Sequence, residues 1–245
     1  MNINNLKTLL IFDFDNTILN NDSFGHVFLK LLTKEEQKVI YNSSKKNWVD
    51  GYNYTLNKIK SHGYSLTEFN KHLDELSLTK GMHELFLYIR ENKNKYEAII
   101  LSSNYQYVIN YLLKKFGVSD IFSEIICNPS REANHGEEEQ FIYVLKRKPH
   151  GCDKCNPCNC KNNDYNEFCL SHNINNYDKV IFICDGYNDL CLAKNLGEND
   201  SLLVRKDFQL YKKLYENELI KNLVCKVQAW EEGKEIINYL KSNEK

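Results

Sequence analysis

The stretch LLIFDFDNTIL, residues 9–19, sets Asp13 and Asp15 at the end of an apolar run. Leu9, Leu10, Ile11 and Phe12 read as a buried strand. An unpaired charge at the end of such a strand costs about 3–5 kcal/mol. Two carboxylates one residue apart therefore call for a compensating cation, a chemical task, or both. Further apolar runs end in the same way: AIIL (98–101) before Ser102, VIFIC (180–184) before Asp185 and LLV (202–204) before Arg205, with a weaker EIIC at 124–127. Unbroken apolar runs without alternation fit parallel strands covered on both faces. Helical patterns separate them. Met82, Leu85, Phe86 and Ile89 share one helical face, and QYVINYLLKKFG (106–117) stops on Gly117. The expectation is an α/β protein with a Rossmann-like, doubly wound parallel sheet, whose ligand sits at the carboxyl ends of the strands. Asp13, Ser102 and Asp185 all fall there.

Residues 20–79 break the alternation, because they contain no strand-like run. Phe24, Val27, Phe28, Leu31 and Leu32 are spaced for one helix face, and Trp48, Tyr52, Leu56 and Ile59 for another. SLTE (65–68) is a capping box that opens a third helix. The reading is a core of residues 1–19 and 80–245 with an all-helical cap inserted at 20–79, leaving the sheet next to the acidic pair and placed to act as a lid. Segments 128–140 and 149–164 read as irregular.

Composition narrows the function classes. The chain has 245 residues, 42% hydrophobic and 27% charged, with a net charge of −1. That balance offers no basic surface for nucleic acid. No apolar run reaches the roughly 20 residues of a membrane span. The N-terminal apolar run is too short for a signal peptide and is cut by Asp13, so a cytoplasmic protein acting on a small molecule is expected. Nine cysteines without a signal peptide argue for reduced thiols or metal ligands rather than disulfides.

Asp185 lies in CDGYND (184–189), where Gly186 is expected to let the chain turn off the strand and Asp189 follows one helical turn later. If this strand neighbours the first, about 4.8 Å away, Asp13 and Asp185 share one small hard cation, and oxygen ligands favour Mg²⁺. A carboxylate beside Mg²⁺ can attack phosphorus to form an aspartyl-phosphate, and a second one two residues on can act as general acid and base. Asp13 is then the nucleophile and Asp15 the acid/base. Ser102 can donate to a phosphoryl oxygen, and a lysine before the third functional strand can neutralise it.

DFDNT, ILSSN, a lysine and CDGYND, in that order, resemble the four motifs of the haloacid dehalogenase superfamily phosphatases with a helical cap. The resemblance covers nearly the whole chain and implies Mg²⁺ held by Asp13, by Asp15 through its backbone carbonyl, and by Asp185, with Asp189 in support. GMHELFLYIRENKNKYEAIILS, DIFSEIICNP, HGCDKCNPCNCK and QAWEEGKEIINYL further resemble the branch that contains pyridoxal phosphate and phosphoethanolamine/phosphocholine phosphatases. Its His-x-Cys-x₂-Cys-x₄-Cys-Lys segment here reads His150, Cys152, Cys155, Cys160 and Lys161. The resemblance makes Lys161 the phosphate lysine, with Lys146, Lys148 and Lys154 as alternatives. It also places Phe24, Ser103 and Asn104 with Ser102 at the substrate. Where the branch carries acidic residues, this chain has Phe24 and Ser103. A cationic head group thus loses its partners, and a flat or apolar leaving group suits Phe24.

The implied activity is Mg²⁺-dependent phosphomonoester hydrolysis, with pyridoxal 5′-phosphate the favoured substrate and phosphoethanolamine or phosphocholine the alternative. A catalytically silent binding protein on the same fold is the alternative of another class. The cysteine-rich HGCDKCNPCNC admits a zinc site of His150, Cys152, Cys155 and Cys160 with Cys158 spare, or free thiols, or a redox switch. Cysteines 127, 169, 184, 191 and 225 read as small core residues, and the other histidines show no ligand spacing.

Overall fold

The computed structural model describes residues 6–134, 141–157, 159–172, 174, 177–216 and 219–243. Strands β1 (Lys7–Phe12), β2 (Tyr96–Tyr105), β3 (Phe122–Asn128), β6 (Tyr177–Cys184), β7 (Ser201–Arg205) and β8 (Lys226–Trp230) form one sheet in the order β3-β2-β1-β6-β7-β8. Every pairing in it is parallel. The chain runs from β1 outward to β2 and β3, then crosses back to β6 on the other side of β1. The order therefore reverses between β1 and β6, where such sheets bind ligands.

Alternation within each strand assigns side chains to two hydrophobic layers. Leu10, Phe12, Ile100 and Ile183 face α4 (Met82–Glu91), α5 (Gln106–Lys115) and α9 (Gly233–Ser242). Leu9, Ile11, Ile99, Leu101 and Phe182 face α6 (Lys161–Ser171), α7 (Leu190–Ala193) and α8 (Gln209–Glu216). Full burial of each such side chain stabilises the fold by about 1.5–3 kcal/mol. α4 and α9 approach closely at a pair of glycines, where a Cβ on Gly233 would lie 2.1 Å from the Gly81 carbonyl oxygen.

Residues 20–79 hold α1 (Lys34–Lys46), α2 (Trp48–Ser61) and α3 (Leu66–Leu73), preceded by short helical turns over Phe24–Leu31. Capping boxes open α1 at Thr33/Glu36 and α3 at Ser65/Glu68. The two ends of the segment are pinned together: Leu19 bridges Leu78, Asn20 N–H donates to Ser77 O at 2.9 Å, and Thr79 N–H donates to Ile18 O at 2.9 Å.

Two elements depart from the sequence reading. β8 was not expected, because KVQAW is an edge strand with only Trp230 fully buried. Segment 128–140, read as irregular, contributes β4 (Ser130–Glu132), which pairs antiparallel with β5 (Ile142–Val144). This ribbon docks on α2, where Asn53 bonds both the N–H and the C=O of Val144 at 2.9 and 2.8 Å.

Candidate active site

β1 and β6 are in register at Phe12 and Ile183, and Asp13 N–H continues the ladder to Ile183 O at 2.9 Å. Asp13 and Asp185 therefore leave adjacent strands side by side. Carboxylate oxygens of Asp13, Asp185 and Asp189 all lie within 4.8 Å of one another, and all three residues are buried. Lys161, wholly buried at the first turn of α6, places Nζ 2.7 Å from Asp13 Oδ1 and pairs also with Asp189 Oδ1.

One ammonium faces three carboxylates. Burial, then the charges of Asp13 and Asp189, pushes Asp185 up to about 9 despite Lys161. Burial works against the charged form of Lys161, but Asp13 and Asp189 outweigh it and hold the ammonium above its ordinary value. The uncompensated negative charge and the hard oxygen donors fit a small divalent cation. Asp189 is already engaged on both oxygens, by Lys161 and by Gly186 N–H at 2.8 Å, so it braces the cluster. Asp13 Oδ1 is taken by Lys161 and by Phe14 N–H at 2.7 Å, and Thr17 Oγ1 donates to Asp185 Oδ1 at 3.3 Å, which leaves the second oxygens of Asp13 and Asp185 for a cation.

Gly186 acts differently from expectation. Its φ of −95° is open to any residue. A Cβ there would meet Asn188 Oδ1 at 2.3 Å, so the glycine makes room for a neighbouring side chain rather than permitting a turn.

After Asp13 the chain kinks, with Asn16 at φ 54° in the left-handed region that asparagine tolerates. The kink brings Asp15 back towards the pocket. Its Oδ1 accepts from Ser23 N–H at 2.8 Å and its Oδ2 from Asn104 Nδ2 at 2.9 Å. Burial, followed by the charge of Asp22, pushes Asp15 up to about 8, and the bonds from Ser23 pull the other way. The Asp15 carboxylate stands apart from the three clustered acids, so any metal contact from this residue falls to its main chain. Asn104 was expected at the substrate; it is instead 1% exposed beneath Asp15, and its N–H donates to Ser102 Oγ at 3.1 Å.

A cavity of about 680 Å³ opens over Asp13, Asp15 and Asp185. Ser103 and Phe24 line it, together with Trp48 and Tyr52 of α2. The Phe24 ring lies 5.2 Å from Tyr52 and 6.4 Å from Trp48, centroid to centroid. Tyr52 OH donates to Ser103 O at 3.2 Å, and Asp22 and Lys154 bring opposite charges to the same wall. Among the alternative lysines, Lys146 pairs with Asp50 at 2.7 Å on the surface, and Lys154 lines the cavity.

The cysteine-rich loop also differs from the reading. His150 is not part of the thiol cluster: its Nε2 donates to Asn156 O at 2.8 Å and its Nδ1 accepts from Cys152 N–H at 3.2 Å. Cys191 of α7, expected in the core, joins Cys152, Cys155 and Cys160 instead. Cys127, Cys184 and Cys225 are buried, Cys169 is half-buried, and Cys158 lies outside the described residues. Sequence reasoning missed two supports. Arg205, at the end of β7, bonds Asn16 O at 2.5 Å and Asn20 Oδ1 at 2.8 Å, and Arg147 grips buried Asp164 at 2.6 and 2.8 Å. Only the strand-end position of Arg205 signalled the first of these.

Residues 8–243 match the family described as "Putative Phosphatase". The chain belongs to this family. The phosphatase is 31% identical to pyridoxal phosphate phosphatase PHOSPHO2 of Bos taurus over 240 residues, covering 96% of this chain and 98% of that protein. The human protein of the same name is 29% identical with the same coverage. Phosphoethanolamine/phosphocholine phosphatase of Gallus gallus is 25% identical over 96% of this chain and 88% of its own. In fold, the phosphatase is similar to a substrate-bound phosphoserine phosphatase, with a TM-score of 0.57 at 17% identity, over 95% of this chain and 98% of that one. It is thus a phosphatase of this family, related over nearly its whole length to the pyridoxal phosphate phosphatases.

Proposed function

We propose that this phosphatase hydrolyses small phosphomonoesters through an aspartyl-phosphate on Asp13, with Mg²⁺ as cofactor and pyridoxal 5′-phosphate as substrate. The observation that carries the reading is the placing of Asp13 and Asp15 on one pocket floor, with Lys161 Nζ 2.7 Å from the Asp13 carboxylate. An Asp13 oxygen attacks phosphorus, the bond to the leaving oxygen breaks, and Asp15 delivers a proton to that oxygen. Asp15 then takes a proton from water, which attacks phosphorus and releases Asp13 and inorganic phosphate. Lys161 offsets negative charge at Asp13 throughout, and Ser102, buried three residues before the end of β2, is the donor to the phosphoryl oxygens. Mg²⁺, held by Asp13, Asp185 and the Asp15 carbonyl, would supply charge neutralisation at the transferring phosphoryl group. Residues 20–79 act as a cap that covers the cleft and excludes water during transfer.

The aromatic wall supports the substrate assignment. Phe24, Trp48 and Tyr52 offer ring faces and edges to a flat leaving group. A pyridoxal ring also carries a pyridinium N–H and a phenolate oxygen, one for each of the charges at Asp22 and Lys154. A second reading has its own support: three aromatic rings with an aspartate also suit the cationic head group of phosphocholine or phosphoethanolamine. Phosphate release from the three substrates, with and without Mg²⁺, tests both readings. A kcat/KM for pyridoxal phosphate below that of phosphocholine reverses the assignment, and an absence of Mg²⁺-dependent turnover that Asp13→Asn removes ends it.

A further inference from the structure

The structure assigns a second metal centre to this protein: a closed four-cysteine zinc site formed by Cys152, Cys155, Cys160 and Cys191. The four Sγ atoms lie within 4.8 Å of one another. Cys191 Sγ is 3.8 Å from both Cys152 Sγ and Cys160 Sγ. Four sulfurs at about 2.3 Å from a tetrahedral zinc stand about 3.8 Å apart along each edge, so the two spacings from Cys191 match edges of such a shell and the others exceed that length by no more than about 1 Å. It is far from the roughly 2.05 Å of a disulfide, and all four residues are free cysteines.

The surroundings point to the same conclusion. Between β5 and α6 the described chain has no helix or strand, yet it folds back so that three of its cysteines converge on one from α7. A loop of this kind lacks the buried apolar side chains that would hold it, and a metal supplies the missing cohesion. Both ring nitrogens of His150 are spent inside the loop, on Asn156 O and Cys152 N–H. The histidine therefore shapes the loop that presents Cys152 and leaves the fourth ligand position to Cys191. With four thiolates the shell is complete, which marks a structural site rather than a catalytic one.

The location gives the site a purpose. Cys160 immediately precedes Lys161, and Cys191 follows two residues after Asp189. Lys161 and Asp189 are themselves an ion pair. Zinc would join the two segments that carry this pair, with Cys155 and Cys191 forming part of the pocket wall. The site is independent of the substrate proposed above.

The test begins with the unmodified chain, purified with thiols reduced from zinc-supplemented culture. Elemental analysis is expected to give about one zinc per chain. Replacement by Co²⁺ is expected to give the intense visible d–d bands and near-ultraviolet thiolate charge transfer of a tetrahedral sulfur site. Cys191→Ser should lower zinc content at least fivefold and weaken the charge-transfer band, whereas His150→Ala should keep full zinc and an unchanged Co²⁺ spectrum. Far-ultraviolet circular dichroism identifies variants that fail to fold, and the Co²⁺ spectrum of the unmodified chain needs no variant. Zinc below a tenth of an equivalent together with absent Co²⁺–thiolate bands overturns the site. Loss of zinc in His150→Ala with retention in Cys191→Ser overturns the ligand set.

Discussion

The side-chain amide of Asn104 donates to Asp15 Oδ2 at 2.9 Å, from a different strand and from below the pocket. The same nitrogen reaches Ser23 Oγ at 2.8 Å, and Asn104 Oδ1 accepts from Tyr105 N–H at 2.7 Å. Its orientation is thus fixed, and with it that of the Asp15 carboxylate. Asn104→Ala should lower kcat by about 10- to 100-fold, a part of what a general acid/base contributes, while KM moves little. Steady-state kinetics on pyridoxal phosphate reads the split. A change confined to KM would return Asn104 to the substrate-binding role that the sequence suggested.

Asp13→Asn removes the proposed nucleophile and one member of a crowded acidic cluster. Turnover should fall by at least about 10³-fold. Stability in metal-free buffer should stay within about 1 kcal/mol of the parent, because Lys161 keeps Asp189 as partner. Urea unfolding and phosphate release, run on the same preparation, test the two halves.

Lys161→Met has the opposite balance. It strips the buried cation from three buried carboxylates, and the fold should lose about 3–5 kcal/mol. Mg²⁺ should recover part of the loss. A urea midpoint unchanged from the parent would mean that the carboxylates are neutral without Lys161.

Chelation followed by Mg²⁺ addition should abolish and then restore activity. Mg²⁺ at a hundred times its dissociation constant should also stabilise the fold by about 2.7 kcal/mol, visible as a raised Tm. In Asp185→Asn that rise should shrink, since one of the two carboxylates with an oxygen left for the cation is gone.

Gly233→Ala tests the packing of α4 on α9. The new Cβ would lie 2.1 Å from the Gly81 carbonyl oxygen, so backbone must move. A loss of about 1–3 kcal/mol is expected, read as a lower urea midpoint with kcat/KM per folded molecule unchanged.

How much could be read beforehand follows from how each residue is coded. Asp13, Ser102 and Asp185 were legible because each interrupts an apolar run at the same place, and the parallel sheet brings those ends together. The capping box at Ser65 and Glu68 was legible because it is local in sequence. Cys191 was not, since it sits in the apolar turn LCLA and its partners come from a loop more distant in the chain. Asn104 reads as one polar residue in SSN, and only the kink after Asp13 reveals that Asp15 lies over it. β8 alternates exposed polar residues with half-buried ones before buried Trp230, which a search for unbroken apolar runs passes over.

Of the paired strands in the sheet, β1 waits longest along the chain for its second neighbour. Its two sheet neighbours, β2 at Tyr96–Tyr105 and β6 at Tyr177–Cys184, emerge only after the helical segment and after most of the chain. Until β2 emerges the run Leu9–Phe12 has both strand edges open, and until β6 emerges one of them stays open. Ribosome-bound chains ending before β6 should accordingly engage chaperones that bind extended apolar segments, and release from them should await synthesis of the strand that bears Asp185. The strand that leads to Asp13 is thus closed on both edges only once about three quarters of the chain has been made.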